Sequence, residues 1–430
     1  MNILIVGMGY VGVTTGLVFA ELGWNVTGLD TDTMKIQELS EGKLSFYEPG
    51  LDLLLVKHLA SQQIRFTTSL ATAIRDNSVI FLCVGTPSDK DGSADLQAIR
   101  GAAKSIGTYM NDYKIITVKS TVPIETNRKM VDWIKESQNH PYPFDVVSNP
   151  EFLREGSALY DSLNPDRIII GSDNEQAANV IASLYAKLTA PIFKTTPKTA
   201  EMIKYASNAF LAAKISYVNE LSRLCETLEI NVSDVTTAMG MDHRIGPHFL
   251  RAGIGYGGSC FPKDSKALLF TAKEQKIELR ILEKVIDIND TQSTHFLNIW
   301  EQKLGGFNHK TVAILGISFK PDTDDLREAP SISIIQQLRT KQANLRVHDP
   351  VAKLPAALLS KKVQQFDTIE MTLQQCDAII LCSEWKDYIG ADWAKLRASL
   401  NDFFIFDGRN MLNGKEMKDL GYYYFGIGNR

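Results

Sequence analysis

Residues 2–6, NILIV, form a continuous apolar run that passes without a spacer into Gly7-Met8-Gly9-Tyr10-Val11-Gly12. A run of that kind suits a strand buried on both faces. The G-x-G-x-x-G behind it suits a tight turn into a helix whose first amides face an anion. The pattern predicts the helix over 13–22, ended by Gly23, and a second strand over 25–29 that closes on Asp30. Strand, glycines, helix, strand and acid in this order constrain the first part of the chain to an open, doubly wound α/β sheet. An acid ~20 residues beyond the glycines stands where a ribose 2′-hydroxyl is gripped. Its charge repels a 2′-phosphate, so the cofactor expected at Gly7, Gly9, Gly12 and Asp30 is NAD over NADP.

Two more strand-and-loop units follow, 79–84 into Gly85-Thr86-Pro87 and 115–118 into Lys119-Ser120-Thr121-Val122-Pro123. Both loops fall at strand carboxyl ends, the ligand edge of an open parallel sheet, so Thr86 and Thr121 stand either as ligand contacts or as ordinary turn residues. A strand over 145–147 brings Glu151 to the same edge, as a functional or a solvated acid. From 199 to 228 runs the longest helical pattern, with Ile203, Ala206, Phe210, Ala213, Tyr217, Leu221, Leu224 and Leu228 at three- and four-residue spacing. A helix that long and apolar packs on its own domain and on a partner subunit, or forms the core of a monomer. Lys204 and Asn208, four apart, share one face; a lysine there needs a wet face or an anion. His243, further on, reads as a surface residue.

The stretch 249–264, FLRAGIGYGGSCFPKD, carries the residue best suited to covalent chemistry, Cys260. Gly253, Gly255, Gly257 and Gly258 strip side chains from its approach, as loops that bring backbone close to a ligand do. Pro262, Lys263 and Asp264 open a helix-like run, which places the thiol at a helix N-terminus. The partial positive charge there, with Lys263 nearby, favours thiolate over thiol.

Beyond residue 289 the alternation resumes, with strands over 310–315, 345–348, 378–382 and 403–406 and a helix from Ser331. SVIFLC at 78–83 and DAIILC at 377–382 are alike, so a second doubly wound domain is expected, with Cys83 and Cys382 as strand core. It has no G-x-G-x-x-G and would use basic residues such as Lys320 and Arg327 at its crevice. A net charge of −4 without a long basic run leaves no footprint for nucleic acid or anionic membrane. No apolar run is long enough to span a bilayer. The apolar N-terminus lacks the basic region and cleavage site of a signal peptide. Five cysteines without a C-x-x-C pair or metal-ligand spacing suit a reduced cytoplasmic protein, and no metal is expected.

These motifs together resemble the UDP-glucose/GDP-mannose dehydrogenase family and, within it, the UDP-glucose 6-dehydrogenases. The resemblance spans nearly the whole chain. It rests on GMGYVG at Gly7, VGTP at Val84, STVP at Ser120, NPEFLREGSA at Asn149, KYASNAFLAAKISYVNE at Lys204, GYGGSCFPKD at Gly255 and ILGISFKPDTDDLREAPS at Ile314. It implies an NAD-binding Rossmann-like domain over 1–198, a central helical dimerisation region with one long helix over 199–300, and a UDP-sugar-binding Rossmann-like domain over 301–430. It further implies a homodimer or larger homo-oligomer, and four-electron oxidation of UDP-glucose to UDP-glucuronate, a polysaccharide precursor, with two NAD.

Residue by residue, the resemblance makes Cys260 the nucleophile, with Asp264, Lys204 and Asn208 handling the proton and oxyanion. Glu151 would assist thioester hydrolysis and Thr121 would help to place water. Val11, Asp30, Lys35, Thr86, Thr121, Glu155, Lys263 and Arg327 match cofactor contacts. Glu151, Phe152, Leu153, Arg154, Glu155, Lys204, Asn208, Phe249, Leu250, Arg251, Ala252, Gly253, Gly257 and Lys320 match sugar-nucleotide contacts, and Arg244 the arginine lent by a neighbouring subunit. Competing readings are the same chemistry on GDP-mannose or an N-acetylated UDP-sugar, a two-electron hydroxy-acid dehydrogenase, which needs no cysteine, and a non-catalytic nucleotide sensor.

Overall fold

The first sheet contains β1 (Asn2–Val6), β2 (Asn25–Leu29), β3 (Ile64–Thr67), β4 (Val79–Leu82), β5 (Lys114–Val118), β6 (Phe144–Ser148), β7 (Ile168–Gly171) and β8 (Ile192–Thr195). They lie in the order β3-β2-β1-β4-β5-β6-β7-β8, and all neighbours run parallel except β6 and β7. The computed structural model describes residues 1–89 and 91–428; Lys90 and the last two residues, at the end of the expected third domain, lie outside the described residues.

The continuous apolar runs follow from burial on both faces of this sheet. In β1, Ile3 and Ile5 join a cluster with Val26, Phe81 and Ile115, while Leu4 and Val6 join another with Ile80, Leu82 and Ile116. Ile3, Leu4 and Ile5 have no exposed surface, a burial that contributes roughly 1.5–3 kcal/mol for each side chain. The helix after β1 spans Tyr10–Glu21, three residues earlier than the sequence pattern placed its start. Its first turn thus takes in the end of the glycine fingerprint.

The second sheet contains β9 (Thr311–Leu315), β10 (Asn344–His348), β11 (Val363–Gln365), β12 (Ala378–Leu381), β13 (Phe404–Asp407) and β14 (Tyr423–Gly426), in the order β11-β10-β9-β12-β13-β14. All of its pairs are parallel. Val312 and Ile314 face a core with Phe296 and Trp300; Ala313 and Leu315 face one with Trp385, Tyr388 and Trp393. Each sheet therefore carries the nucleotide-fold order, in which strands are added towards one edge up to the third and towards the other edge from the fourth.

The correspondence extends to single hydrogen bonds. The Gly7 amide donates to Leu29 O (2.8 Å) and that of Gly316 to His348 O (2.9 Å); Cys83 N donates to Val6 O (2.8 Å) and Cys382 N to Leu315 O (2.9 Å). Asp30 at the end of β2 has a counterpart in Asp349 after β10. Asp349, however, accepts the amides of Ile317, Ser318, Val351 and Ala352 and the Ser318 hydroxyl, and it is buried. With its lone pairs taken by its own chain, that acid is not left for a ribose, which agrees with the missing glycine fingerprint in this half.

By packing, Met1–Ser207 with Lys266–Ile277 forms one compact unit, and Asn208–Ser265 with Glu278–Arg430 the other. The long helix, Pro197–Leu228, runs through both segments of chain, and its buried face mixes apolar Tyr205, Ala212 and Val218 with polar residues. Of the eight apolar residues whose spacing marked it, Phe210, Tyr217, Leu224 and Leu228 are large and exposed and Ile203, Ala213 and Leu221 are half-buried, while Glu201, Lys204, Asn208, Ser216, Asn219 and Ser222 are buried. Burying polar groups is tolerable because they find partners. The Ser216 hydroxyl donates to Val285 O (2.7 Å), and Asn219 Oδ1 accepts from Gly253 N (2.9 Å).

Candidate active site

In the first unit, the parallel strands deliver their following loops to one sheet edge. Asp30 ends β2, and its Oδ2 accepts the Met8 amide (2.8 Å) and the Lys35 ammonium (3.1 Å), so the acid is fastened to the glycine turn. Burial alone would push its carboxyl up. The amides of Asp32 and Met8 and the Lys35 charge outweigh that and hold it below the usual carboxylate range. Beyond β4 and β5, the Thr86 hydroxyl donates to Thr121 O (2.8 Å) and the Ser120 hydroxyl to Val84 O (2.7 Å), which join the two threonine loops. Thr86 is buried and Thr121 half-buried.

Glu151 follows β6 and is 7% exposed; Lys204, on the long helix, is 3% exposed, and the two pair at 2.9 Å. The second carboxylate oxygen of Glu151 accepts the Leu153 amide (2.8 Å). Of the two alternatives open for Lys204, the structure has the anion. Phe152 packs between cations, with Lys204 Nζ 5.2 Å and the Arg167 guanidinium 4.1 Å from its ring centroid. Arg154 turns to Asp161 instead (2.7 Å) and is mostly exposed; Glu155 is buried.

In the second unit, Cys260 immediately precedes the helix Phe261–Glu274, and its carbonyl accepts the Asp264 amide (2.8 Å), so it is the N-cap. It is the only one of the five cysteines that is not buried. Burial pushes the Cys83, Cys376 and Cys382 thiols up to about 12, which keeps them protonated at neutral pH. One turn into the helix, Asp264 is 1% exposed and accepts from Asn208 Nδ2 (2.6 Å) and Lys263 Nζ (2.6 Å). Lys204 in the first unit and Asn208 in the second are thus both buried, and each holds a carboxylate.

A Cβ at Gly257 would lie 2.3 Å from Glu328 O, and one at Gly258 2.8 Å from the Phe319 ring, so at these two positions glycine lets the loop pack closely on its own unit. Phe249, with φ +64°, packs its ring 6.1 Å from that of Phe261; Leu250, Ala252 and Gly253 are buried and Arg251 is exposed. Lys320 lies over the Phe319 ring (5.4 Å). Arg327 pairs with Asp325, and the largely exposed Arg244 pairs with Asp242.

Comparison with known proteins gives one answer along the chain. Residues 1–189, 198–291 and 313–414 match, in turn, the NAD binding, central and UDP binding domains of the UDP-glucose/GDP-mannose dehydrogenase family. The chain belongs to this family. It is 42% identical over 428 residues to the UDP-glucose 6-dehydrogenase TuaD of Bacillus subtilis, covering 99% of this chain and 93% of that one. It is also 42% identical to YwqF of the same organism, named as the same enzyme, over 431 residues and 98% of its length. Among solved structures, a UDP-glucose dehydrogenase from the archaeon Pyrobaculum islandicum superimposes with a TM-score of 0.93 at 36% identity, covering 100% of this chain and 98% of that one.

As a member, this protein is an NAD-dependent dehydrogenase, and its first unit fits the dinucleotide. No side chain caps the N-terminus of the helix at Tyr10. A Cβ on Gly9 would meet nothing within 4 Å, whereas one on Gly12 would lie 1.8 Å from Gly7 O. The middle glycine therefore leaves a cradle open beside free helix amides, as a pyrophosphate requires, and the last lets helix and turn pack. Asp30 follows β2 and is tied to the glycine turn through the Met8 amide.

Reading by motif passed over several dehydrogenase residues. Arg409, two residues after β13, donates to Cys382 O (2.8 Å), Gly255 O (2.9 Å) and Phe319 O (3.2 Å), clamping the cysteine loop to the second sheet's carboxyl edge. The criterion that picked out Lys320 and Arg327, a basic residue behind a strand, would have found it. Glu201 is buried and accepts the amides of Glu125 (2.6 Å) and Asn127 (2.9 Å), anchoring the segment behind Thr121. Lys119 reaches Asn149 Oδ1 (3.3 Å), and burial pulls its ammonium pKa down. Lys119, directly behind β5, meets the same criterion as Arg409, whereas Glu201 has no sequence signal. Among the described residues no helix is long and apolar enough to cross a membrane.

Proposed function

We propose that this dehydrogenase oxidises the C6 primary alcohol of UDP-glucose to the carboxylate of UDP-glucuronate, in two hydride steps through intermediates bound to Cys260. The observations that carry the reading are two buried carboxylates, each held by its own partners: in the first unit Glu151 by Lys204, and in the second Asp264, in the first turn of the helix that Cys260 caps, by Asn208 and Lys263. NAD, when bound at the first unit, supplies the hydride acceptor for each step.

The residues divide the remaining work. Lys204 and Asp264 handle the proton of the alcohol, and Lys204 with Asn208 stabilises the oxyanion, a task worth roughly 3 kcal/mol per donor. The Cys260 sulfur adds to the aldehyde carbon, forming a C–S bond and a thiohemiacetal. Loss of the second hydride leaves a thioester. Glu151, with Thr121, directs water at that carbonyl, and the C–S bond breaks to give carboxylate and thiol. In sum, alcohol, water and two NAD⁺ give carboxylate, two NADH and three protons. A hydroxy-acid dehydrogenase has no use for the cysteine, and a non-catalytic sensor none for either carboxylate cluster.

UDP-glucose is preferred over other nucleotide sugars because of NPEFLREG at 149–156 and because the relatives at 42% identity carry that activity in their names. The exposed stripe of Phe210, Tyr217, Leu224 and Leu228 supports a homodimer through the long helix, the central region over 199–300 being its platform. Five cysteines with no disulfide among them support a cytoplasmic setting.

The test is turnover with UDP-glucose, GDP-mannose and UDP-N-acetylhexosamines, counting NADH against acid formed. Two NADH per UDP-glucuronate, no acid from the Cys260→Ala variant, and retained UDP-glucose binding by that variant are expected. One NADH with free aldehyde would overturn the covalent route.

A further inference from the structure

Glu48 belongs to no motif identified above, yet it is 3% exposed and fully engaged. One carboxylate oxygen accepts the amides of Ala158 (2.7 Å) and Leu159 (3.4 Å), and the other accepts the Gly156 amide (2.6 Å) and the hydroxyl of Tyr10. Tyr10 is the first residue of the fingerprint helix, and its oxygen also lies 3.1 Å from the Gly156 amide. Phe46 packs on its ring at 4.7 Å between centroids. One buried anion thus spans two places far apart in sequence. It meets the first turn behind the dinucleotide glycines, and it meets the far end of the 149–156 loop, whose near end holds Glu151 and Phe152. Burial, then the bond to Glu48, raise the Tyr10 phenol well above its ordinary range, so its hydroxyl keeps the proton it donates across the physiological range.

We propose that Glu48 and the Tyr10 hydroxyl are positioning residues that fasten the Glu151 loop to the cofactor-binding helix, so that occupation of the cofactor crevice and ordering of the loop favour each other. A link of fixed hydrogen bonds does this because a ligand that immobilises one end lowers the ordering cost at the other. Such coupling is reciprocal and ordinarily amounts to roughly 5- to 150-fold in affinity. The inference rests on the proposed role of the 149–156 loop in holding UDP-glucose.

The experiment is calorimetric titration of UDP-glucose with and without saturating NADH, on the wild-type enzyme and on the Tyr10→Phe and Glu48→Gln variants. Tyr10→Phe removes only the bridging hydroxyl and leaves Glu48 its three backbone donors, so the short helix it caps stays capped. The expected result is that NADH tightens UDP-glucose binding at least about fivefold in the wild type and less than about twofold in Tyr10→Phe, with UDP-glucose affinity in the absence of NADH nearly unchanged. Glu48→Gln should lose the same coupling, and the double variant should lose no more than either alone. Equal coupling in wild type and Tyr10→Phe, or none in the wild type, overturns the inference and leaves Glu48 a helix cap. Failure of the underlying reading looks different: a Phe152→Ala variant would then bind UDP-glucose as tightly as the wild type, whatever NADH does.

Discussion

Replacing Glu151 by Gln separates the oxidation of the substrate from the release of the product. The carboxylate accepts from two donors, Lys204 Nζ at 2.9 Å on one oxygen and Leu153 N at 2.8 Å on the other. Glutamine has one acceptor oxygen, so in either orientation its NH2 group faces a donor and one bond is lost. For a bond to a charged group that is about 1.5–3 kcal/mol, which for a unit of this size lowers Tm by roughly 3 to 12 °C. The fold should therefore survive with measurable strain. The catalytic loss is larger and falls on one step. Removal of a general base costs about 10²- to 10⁴-fold, or ~3 to ~5 kcal/mol of barrier, in thioester hydrolysis alone. Oxidation should then outrun hydrolysis. Stopped-flow absorbance should show a burst of about two NADH per active site ahead of a slow steady state, as the two-hydride scheme requires. Intact-protein mass spectrometry after a quench should find the chain heavier by one UDP-glucuronyl group. The adduct should be missing from the Glu151→Gln, Cys260→Ala double variant. Unmodified chain after the burst, or a steady-state rate close to wild type, would remove Glu151 from the hydrolytic step.

Asp30→Ala should weaken NAD binding and narrow its preference over NADP by at least tenfold in kcat/KM; an unchanged ratio contradicts the ribose role. The same carboxyl has a folded pKa below its unfolded value of about 3.9, so the stability it contributes is present above that value and is lost as pH falls through the lower folded one. The gap in unfolding free energy between wild type and Asp30→Ala should hold from pH 7 to 5 and close in stronger acid, as read from denaturant melts at each pH. Gly9→Ala should leave thermal stability nearly intact and impair NAD binding, because its methyl fills an open cradle. Gly12→Ala should cost at least about 1–3 kcal/mol in stability, since its methyl falls 1.8 Å from Gly7 O; equal melting temperatures for the two variants would refute this. Tyr217→Glu, at the middle of the exposed stripe on the long helix, should shift the sedimentation coefficient to that of a monomer, and an unchanged oligomer would place the interface elsewhere.

The strands and the fingerprint were legible because the physics that makes them is local. A strand covered on both faces must be apolar at every position, and a turn that meets a helix closely must be glycine, so NILIV and GMGYVG announce themselves within a dozen residues. The strands in the second sheet were visible for the same reason, at 310–315, 345–348, 378–382 and 403–406, with ends that moved by a residue where hydrogen-bonding partners decide them. The outermost strands β3, β8, β11 and β14 went unread because they are only partly buried and so lack a continuous apolar run, and the four-residue β7 went unread with them. Cys260 was legible too, as an N-cap flagged by Pro262.

What the sequence alone left open was which side chain meets which across a large separation. Periodicity in the long helix finds an apolar stripe but not its direction, and here the stripe of Phe210, Tyr217 and Leu224 faces out while Lys204 and Asn208 face in. Whether Lys204 met water or an anion was undecidable from its own neighbours; Glu151, 53 residues away, settles it at 2.9 Å. Glu48, Glu201 and Asp349 stayed silent, because a buried charge is recognised only by the donors and acceptors folded around it. Local pattern is set by burial and backbone geometry, which neighbours along the chain share. A buried polar group is tolerated only if distant residues arrive to satisfy it, and that condition exists only in the tertiary structure.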